Sequence, residues 1–217
     1  MIDSLYFLII ALSVLAALPL ICLTGWLLNS QLLFKLVEPI ERLSTLIDSL
    51  NEKVGRTTAW FVLAMVLIQT IVVIQRYVFG IGSIALQESI VYLHATLFML
   101  ASGFTLLHDG HVRVDIIYRR VSPEQRAWIN FIGSYLFLFP LLTTLFVLSL
   151  PYVQLSWSVR EGSAETSGIQ AIFLLKSVIL VFAILLFLQG ISLVVRSLST
   201  IVGRRTDQER IDATSSV

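Results

Sequence analysis

The amino-acid sequence predicts an all-α integral membrane helical bundle: five transmembrane helices, with an amphipathic interfacial helix between the first two. Composition is the first ground. The 217 residues are 57% hydrophobic and 13% charged, with a mean hydropathy of +0.88, too apolar for a soluble domain that must clothe its core in polar surface. Run length is the second. A helix rises about 1.5 Å per residue, so roughly 20 apolar residues cross the hydrocarbon core. Five runs reach that length, at 5–28, 57–79, 84–107, 127–150 and 169–195, and no stretch remains that is long enough for an extramembrane domain. The third ground is charge placement, since the cations gather in segments that join alternate runs.

In chain order, residues 1–30 hold the extra N-terminal run. No basic residue precedes it, only Asp3 and the terminal amine, and cations follow it, which predicts a helix with its N-terminus outside. A cleaved signal peptide needs a basic leader and a shorter apolar stretch, so a retained helix is expected. Residues 31–56 place Leu36, Ile40, Leu43, Ile47, Leu50 and Val54 at three- and four-residue spacing, with Glu38, Glu41, Arg42, Asp48, Glu52 and Lys53 on other faces. That arm is predicted to lie in the headgroup plane or to pack on a partner's cytoplasmic surface, with a short coiled-coil contact as a third reading.

Residues 57–198 form a four-helix membrane domain. Gly80 and Gly82 permit a tight turn between its first two runs. Ser122-Pro123-Glu124-Gln125 predicts a capped helix start with Ser122 as N-cap, Pro123 in the first turn and Gln125 closing a capping box. Pro140 predicts a kink in mid-membrane, and 151–168 is expected to be a loop. The tail, 199–217, is polar and expected to be disordered after Gly203.

Lys35, Arg42, Lys53 and Arg56 precede the second run, Arg113, Arg119, Arg120 and Arg126 separate the third and fourth, and Arg196, Arg204, Arg205 and Arg210 follow the last. The positive-inside rule makes these three segments cytoplasmic, puts 80–83 and 151–168 outside, and predicts a multi-pass bacterial inner-membrane protein with its C-terminus in the cytoplasm.

Three ionisable residues fall within apolar runs: Arg76, Glu88 and Lys176. Each is costly in hydrocarbon unless paired or wetted. Arg76 and Glu88 each lie six residues from Gly82, roughly 9 Å deep on antiparallel neighbours, so an Arg76–Glu88 pair is expected. Lys176 then meets a partner's carboxylate or a lipid phosphate, or snorkels outward. No run clusters the several oxygen ligands that a hard cation needs. Among the histidines only His94 is deep, which argues against the facing pair that a haem would require and for a hydrogen-bonded residue between helices. His108 and His111 bracket the cytoplasmic end of the third run. The single cysteine, Cys22, excludes a disulfide framework, and no nucleophile motif or phosphate loop is present, so neither an enzyme nor a cofactor is expected. The net charge of +1 and pI near 7.9 give no support for a nucleic-acid interface. Ser89, Thr96 and Gly103 on the third run, and Lys176, Ala183 and Gly190 on the fifth, recur every seven residues as close-packing stripes.

Gly110-His111-Val112-Arg113-Val114-Asp115, directly after a membrane run, resembles the G-H-[IV]-R-V-D stretch of the small membrane subunit of tripartite ATP-independent periplasmic (TRAP) transporters, and Gly110, His111, Arg113 and Asp115 carry the likeness. Trp157, Glu161, Ser163, Glu165 and Ser167 stand where that family has an outer serine- and glutamate-containing stretch. The resemblance covers about 51–198, four of the five runs; family members commonly have four helices, so the run 5–28 is a departure. What it implies is a non-catalytic scaffold in the lipid bilayer. A large TRAP membrane subunit would hold the substrate and sodium sites and move like an elevator, and a soluble periplasmic substrate-binding protein would deliver an organic acid, usually a carboxylate. Arg160, Glu161 and Glu165 are then candidates for docking that binding protein. A redox-enzyme membrane anchor and a small homo-oligomeric channel or exporter are the alternatives, distinguished by paired deep histidines and by independence from partners.

Overall fold

The computed structural model describes residues 30–111 and 121–201, with Ile10, Ser13, Val14, Ala16, Ala17, Pro19, Leu20, Ile21 and Thr24 of the first run, and side chains beyond these from Ile40 onward. Most of the first run, Val112 to Arg120 with the motif residues Arg113 and Asp115, and the tail after Ile201 lie outside the described residues. Everything described is helix, turn or coil. The helices are α1 (Ser30–Val78), α2 (Ile84–Leu100), α3 (Ser102–Leu107), α4 (Pro123–Gly133), a π-helical turn (Ser134–Leu138), α5 (Phe139–Ser158) and α6 (Ile172–Ile201). Four stretches are long and apolar enough to cross a membrane: Ile40–Val78, Ile84–Leu107, Pro123–Ser158 and Ile172–Ile201.

The amphipathic arm and the second apolar run are one helix, α1, without a break at the expected boundary. The 39 residues of Ile40–Val78 exceed the roughly 20 that hydrocarbon requires, so one continuous helix carries both the end of the arm and a span. Gly80, at a φ of 68° in the left-handed region, ends α1. Ser83 caps α2 by accepting from the Leu86 amide. α4 begins with the expected capping box: Ser122 Oγ accepts from Gln125 N, and Gln125 Oε1 accepts from Ser122 N at 2.9 Å. Pro140 lacks an N–H and crowds the carbonyl four residues back, and the π-helical turn immediately before it supplies the wider ring that relieves this. Pro151 does not end its helix, contrary to the expected loop at 151–168. α5 runs through it to Ser158, since one lost hydrogen bond is tolerated in a long membrane helix, and the loop is shortened to 159–171.

The chain divides into two compact units. The first comprises Met1–Asp48, Val112–Leu138 and Gly190–Val217. Its described core is Ile47, Ala127, Phe131, Ile191, Val194, Val195 and Leu198, each at most 5% exposed. A polar seam joins the start of α1 to the end of α6 in antiparallel register. Ser44 Oγ lies 2.9 Å from Ser192 Oγ, Ser192 also donates to Asp48 Oδ1 at 2.5 Å, Ser199 donates to Glu41 at 2.6 Å, and Arg196 lies 3.6 Å from Asp48. The arm's Ser44 is therefore spent on the chain's own last helix, and Ile47 is buried. Tyr135 donates to the Ala16 carbonyl at 2.6 Å.

The second unit comprises Ser49–His111 and Phe139–Gln189. Phe139, Leu142, Phe146, Leu150 and Val153 form the buried stripe of α5, and Ala183, Leu185, Leu186 and Phe187 that of α6, with the Phe139 and Phe187 rings 4.8 Å apart. Asn51 and Gln189, both fully buried, are joined by a 2.8 Å amide hydrogen bond. Two glycines allow the helices to approach there. A Cβ on Gly103 would fall 2.1 Å from Asn51 Oδ1, and one on Gly55 would fall 2.3 Å from the Phe104 ring.

Candidate functional site

The charged residues of the second unit gather at the two ends of its helices. At one end the loop 159–171 folds back on the helices. α5 stops in a Schellman arrangement: Glu161 N donates to Ser156 O at 2.9 Å and Arg160 N to Trp157 O at 3.2 Å, with Arg160 itself at a φ of 47°. That conformation favours glycine, so an arginine there is held against a backbone preference. The Glu161 carbonyl then accepts from Phe173 N, tying the loop to the first turn of α6. Trp157 donates through Nε1 to Ser177 Oγ at 2.7 Å and meets Phe173 edge-on at 4.8 Å, closing the same corner with an indole of the kind found at membrane interfaces.

Two of the membrane-embedded charges hold this loop. Glu88, in the second turn of α2, accepts from Ser163 Oγ at Oε1 and from the Ile169 amide at Oε2, the latter at 2.6 Å. Ser163 Oγ accepts in turn from Glu165 N at 3.1 Å, and Tyr92 donates to the Ile169 carbonyl. A carboxylate with donors on both oxygens is tolerable near hydrocarbon without a cation. Lys176, in the second turn of α6, donates to Glu161 Oε2 and lies 4.0 Å above the Tyr152 ring. A cation near a helix N-terminus opposes the helix dipole, and the carboxylate and the ring face offset that cost. Close approach depends on Gly168, where a Cβ would fall 2.3 Å from Ser163 Oγ and 2.7 Å from Glu88 Oε1.

The expected Arg76–Glu88 pair is absent. Glu88 is occupied by the loop, and Arg76 is exposed with no ion-pair partner among the described residues. Depth along the helices matched the two residues, but it does not fix the direction in which each side chain leaves its helix. Lys176 meets a carboxylate of its own chain. Of the three docking candidates, Glu161 is committed to Lys176, whereas Arg160 and Glu165 are exposed.

Lys176 donates to Glu161, and that contact holds the Glu161 carboxyl below its usual value of 4.5. A depressed carboxyl contributes stability above its unfolded pKa, which is lost as the pH falls through the folded one. In a variant whose other three tryptophans are replaced by phenylalanine, Trp157 emission is therefore expected to stay constant from neutral pH down to about 5 and to change below about 4.5. Glu161→Gln removes that transition, and a transition that survives in the variant assigns it elsewhere.

At the other end, Glu52 accepts from Arg56 Nε at 2.6 Å and lies 2.7 Å from His108 Nε2, whose ring packs at a tilt against Phe104 with centroids 4.4 Å apart. α3 then ends in a second Schellman arrangement, Gly110 N donating to Thr105 O at 2.8 Å and Asp109 N to Leu106 O at 3.3 Å, with Asp109 at a φ of 55°. Gly110 and His111, the described part of the sequence motif, follow directly. The family model for tripartite ATP-independent periplasmic transporters, DctQ component, matches residues 65–200, more than half of the chain. The chain belongs to this family. No curated protein and no solved structure matches it.

The DctQ-family assignment makes this chain the small membrane component of a TRAP transporter, a multi-pass membrane protein of a family that works with a large permease and a binding protein. His94 is exposed on α2 and not hydrogen-bonded between helices as expected; it stands 14 residues from His108 on the same helical run, about 21 Å away, so the two do not form a ligand pair. Ser163, Ile169, Tyr92, Tyr152 and Gly168 complete the loop clamp. Their signal in the sequence was the Ser- and Gly-rich composition of 162–168 opposite two apolar-run charges, which need donors and acceptors from somewhere.

Proposed function

We propose that this chain is the non-catalytic small subunit of a sodium-coupled TRAP transporter of the bacterial inner membrane, bracing the large permease while the loop 159–171 docks the periplasmic binding protein that delivers an organic acid, a carboxylate in the usual case. The observation that supports the docking role is the loop itself: thirteen residues held from α2 by Glu88 and from α6 by Lys176, presenting Arg160 and Glu165 to solvent. A pre-organised loop loses little entropy when a partner binds. The distribution of cations supports an outer position for this loop and a cytoplasmic C-terminus. Sodium coupling and the carboxylate rest on the family resemblance.

Arg160 separates docking from folding. Arg160→Gly relieves the left-handed backbone and is expected to stabilise the subunit by about 0.5–1 kcal/mol, read as a higher thermal midpoint in detergent. In reconstituted vesicles the same variant and Glu165→Gln are each expected to raise the binding-protein concentration that gives half-maximal sodium-driven uptake, leaving the rate at saturation unchanged. Uptake curves that superimpose on the wild type in both variants remove the docking role from this loop. A role in folding alone would show in the thermal midpoint but not in the uptake curve.

A further inference from the structure

A face of α2 about a quarter-turn from the loop clamp carries polar groups that no described residue satisfies. Glu88 and Tyr92 turn toward the loop, and Gly103 packs on Asn51. Ile84, Gln87, Val91, His94 and Phe98, at alternating three- and four-residue spacing, form one exposed stripe, with Val91 59% and Phe98 74% exposed. His94 is ten residues from the first residue of the Ile84–Leu107 span, about 15 Å deep, so it lies near the bilayer centre. On α1, exposed Gln69 is nine residues from the helix end at Val78, about 14 Å deep and close to the same level. Among the described residues, the side chains of Gln69, Gln87 and His94 have no hydrogen-bond partner.

A neutral imidazole has one donor and one acceptor, and a glutamine amide has two donors and an acceptor. Lipid tails can satisfy none of them, and such groups in membrane helices face protein or water. The α1 and α2 spans are also the least covered, 6% buried in their most apolar windows against 56% for α6. Whatever covers this layer must be apolar at Val91 and Phe98 and must offer hydrogen bonds at one depth. A transmembrane helix with a polar side chain near its middle meets both requirements, and the family to which this chain belongs works with a large membrane permease.

We propose that the Gln87–Val91–His94–Phe98 face of α2, together with Gln69 of α1, seats a transmembrane helix of the large TRAP subunit, whose polar side chains hydrogen-bond to His94 and Gln69 at mid-membrane depth. The proposal rests on the small-subunit reading and adds the surface through which that subunit holds its partner. The face is the site of assembly, distinct from the docking loop.

The test uses the full chain, tagged and co-produced with the large subunit, with the photo-crosslinking residue p-benzoylphenylalanine at Val91. Illumination is expected to give an adduct at the combined mass of the two subunits. His94→Leu and Gln69→Leu, apolar changes on an exposed membrane surface, are each expected to lower recovery of the large subunit about threefold, the loss of one interhelical hydrogen bond, with the tagged chain remaining monodisperse. If wild-type chain recovers the large subunit but the probe at Val91 labels only lipid or a second copy of this chain, or if both leucine variants recover it at wild-type yield, the face is overturned while the small-subunit reading stands. If wild-type chain recovers no large subunit, both fall.

Discussion

Replacing Gly103 with valine is expected to destabilise the subunit by about 2–4 kcal/mol, a larger effect than any surface change in the molecule. A Cβ alone would fall 2.1 Å from Asn51 Oδ1 and 2.8 Å from Asn51 Cγ, so Asn51 must leave its place. Asn51 and Gln189 are fully buried and joined to each other, and moving one strands a buried amide on the other. Overpacking costs about 1–3 kcal/mol and an unsatisfied buried polar group about 1–3 kcal/mol, and the two costs overlap because one movement incurs both. The measurement is unfolding in mixed micelles. Asn51→Leu with Gln189→Leu removes both amides and is expected to cost less than either single change, because neither group is then left buried without a partner. A Gly103→Val subunit with wild-type stability would show that the helices do not approach as closely as this packing requires.

Glu88→Ala is expected to release the loop. The carboxylate binds Ser163 and the Ile169 amide at once, and truncating it removes both anchors. Hydrogen exchange of the Ile169 amide is expected to accelerate roughly ten- to a hundredfold, the usual range for losing a bond to a charged group. Glu88→Gln retains one acceptor and is expected to fall between. Gly168→Ala should reproduce the release without touching the carboxylate, since its methyl group would enter the Ser163–Glu88 contact. The helical ladder of α2 should exchange as before in all three variants, and an increase spread through α2 would mean that Glu88 supports the bundle rather than the loop.

Most of the helix layout was legible from hydrophobic run length, because the bilayer imposes that length on any span. The start of α4 was legible for a local reason: Ser122, Pro123 and Gln125 satisfy orphan amides without help from elsewhere. What escaped was tertiary. Pro151 read as a terminator, yet its one missing hydrogen bond costs less than ending α5 early, and the helix continues to Ser158. The amphipathic pattern of the arm identified a helix but not its partners, and Ser192, Arg196 and Ser199 of α6 engage its polar residues Asp48 and Glu41. Arg76, Glu88 and Lys176 were legible as costly charges, but their partners depend on side-chain direction and on a loop whose path the spacing does not encode. The loop clamp therefore had to be seen, whereas the need for one followed from Glu88 and Lys176 lying in apolar runs.

The central claim is that this chain works only as part of a larger membrane assembly, and co-purification tests it most directly. The chain is tagged, expressed with its chromosomal neighbours and extracted gently, and its companions are identified by mass. The account predicts a large permease in stoichiometric amount, and sodium-driven uptake by the reconstituted complex only when the binding protein is added. A chain that purifies alone as a homo-oligomer, or one that carries a haem, would contradict it.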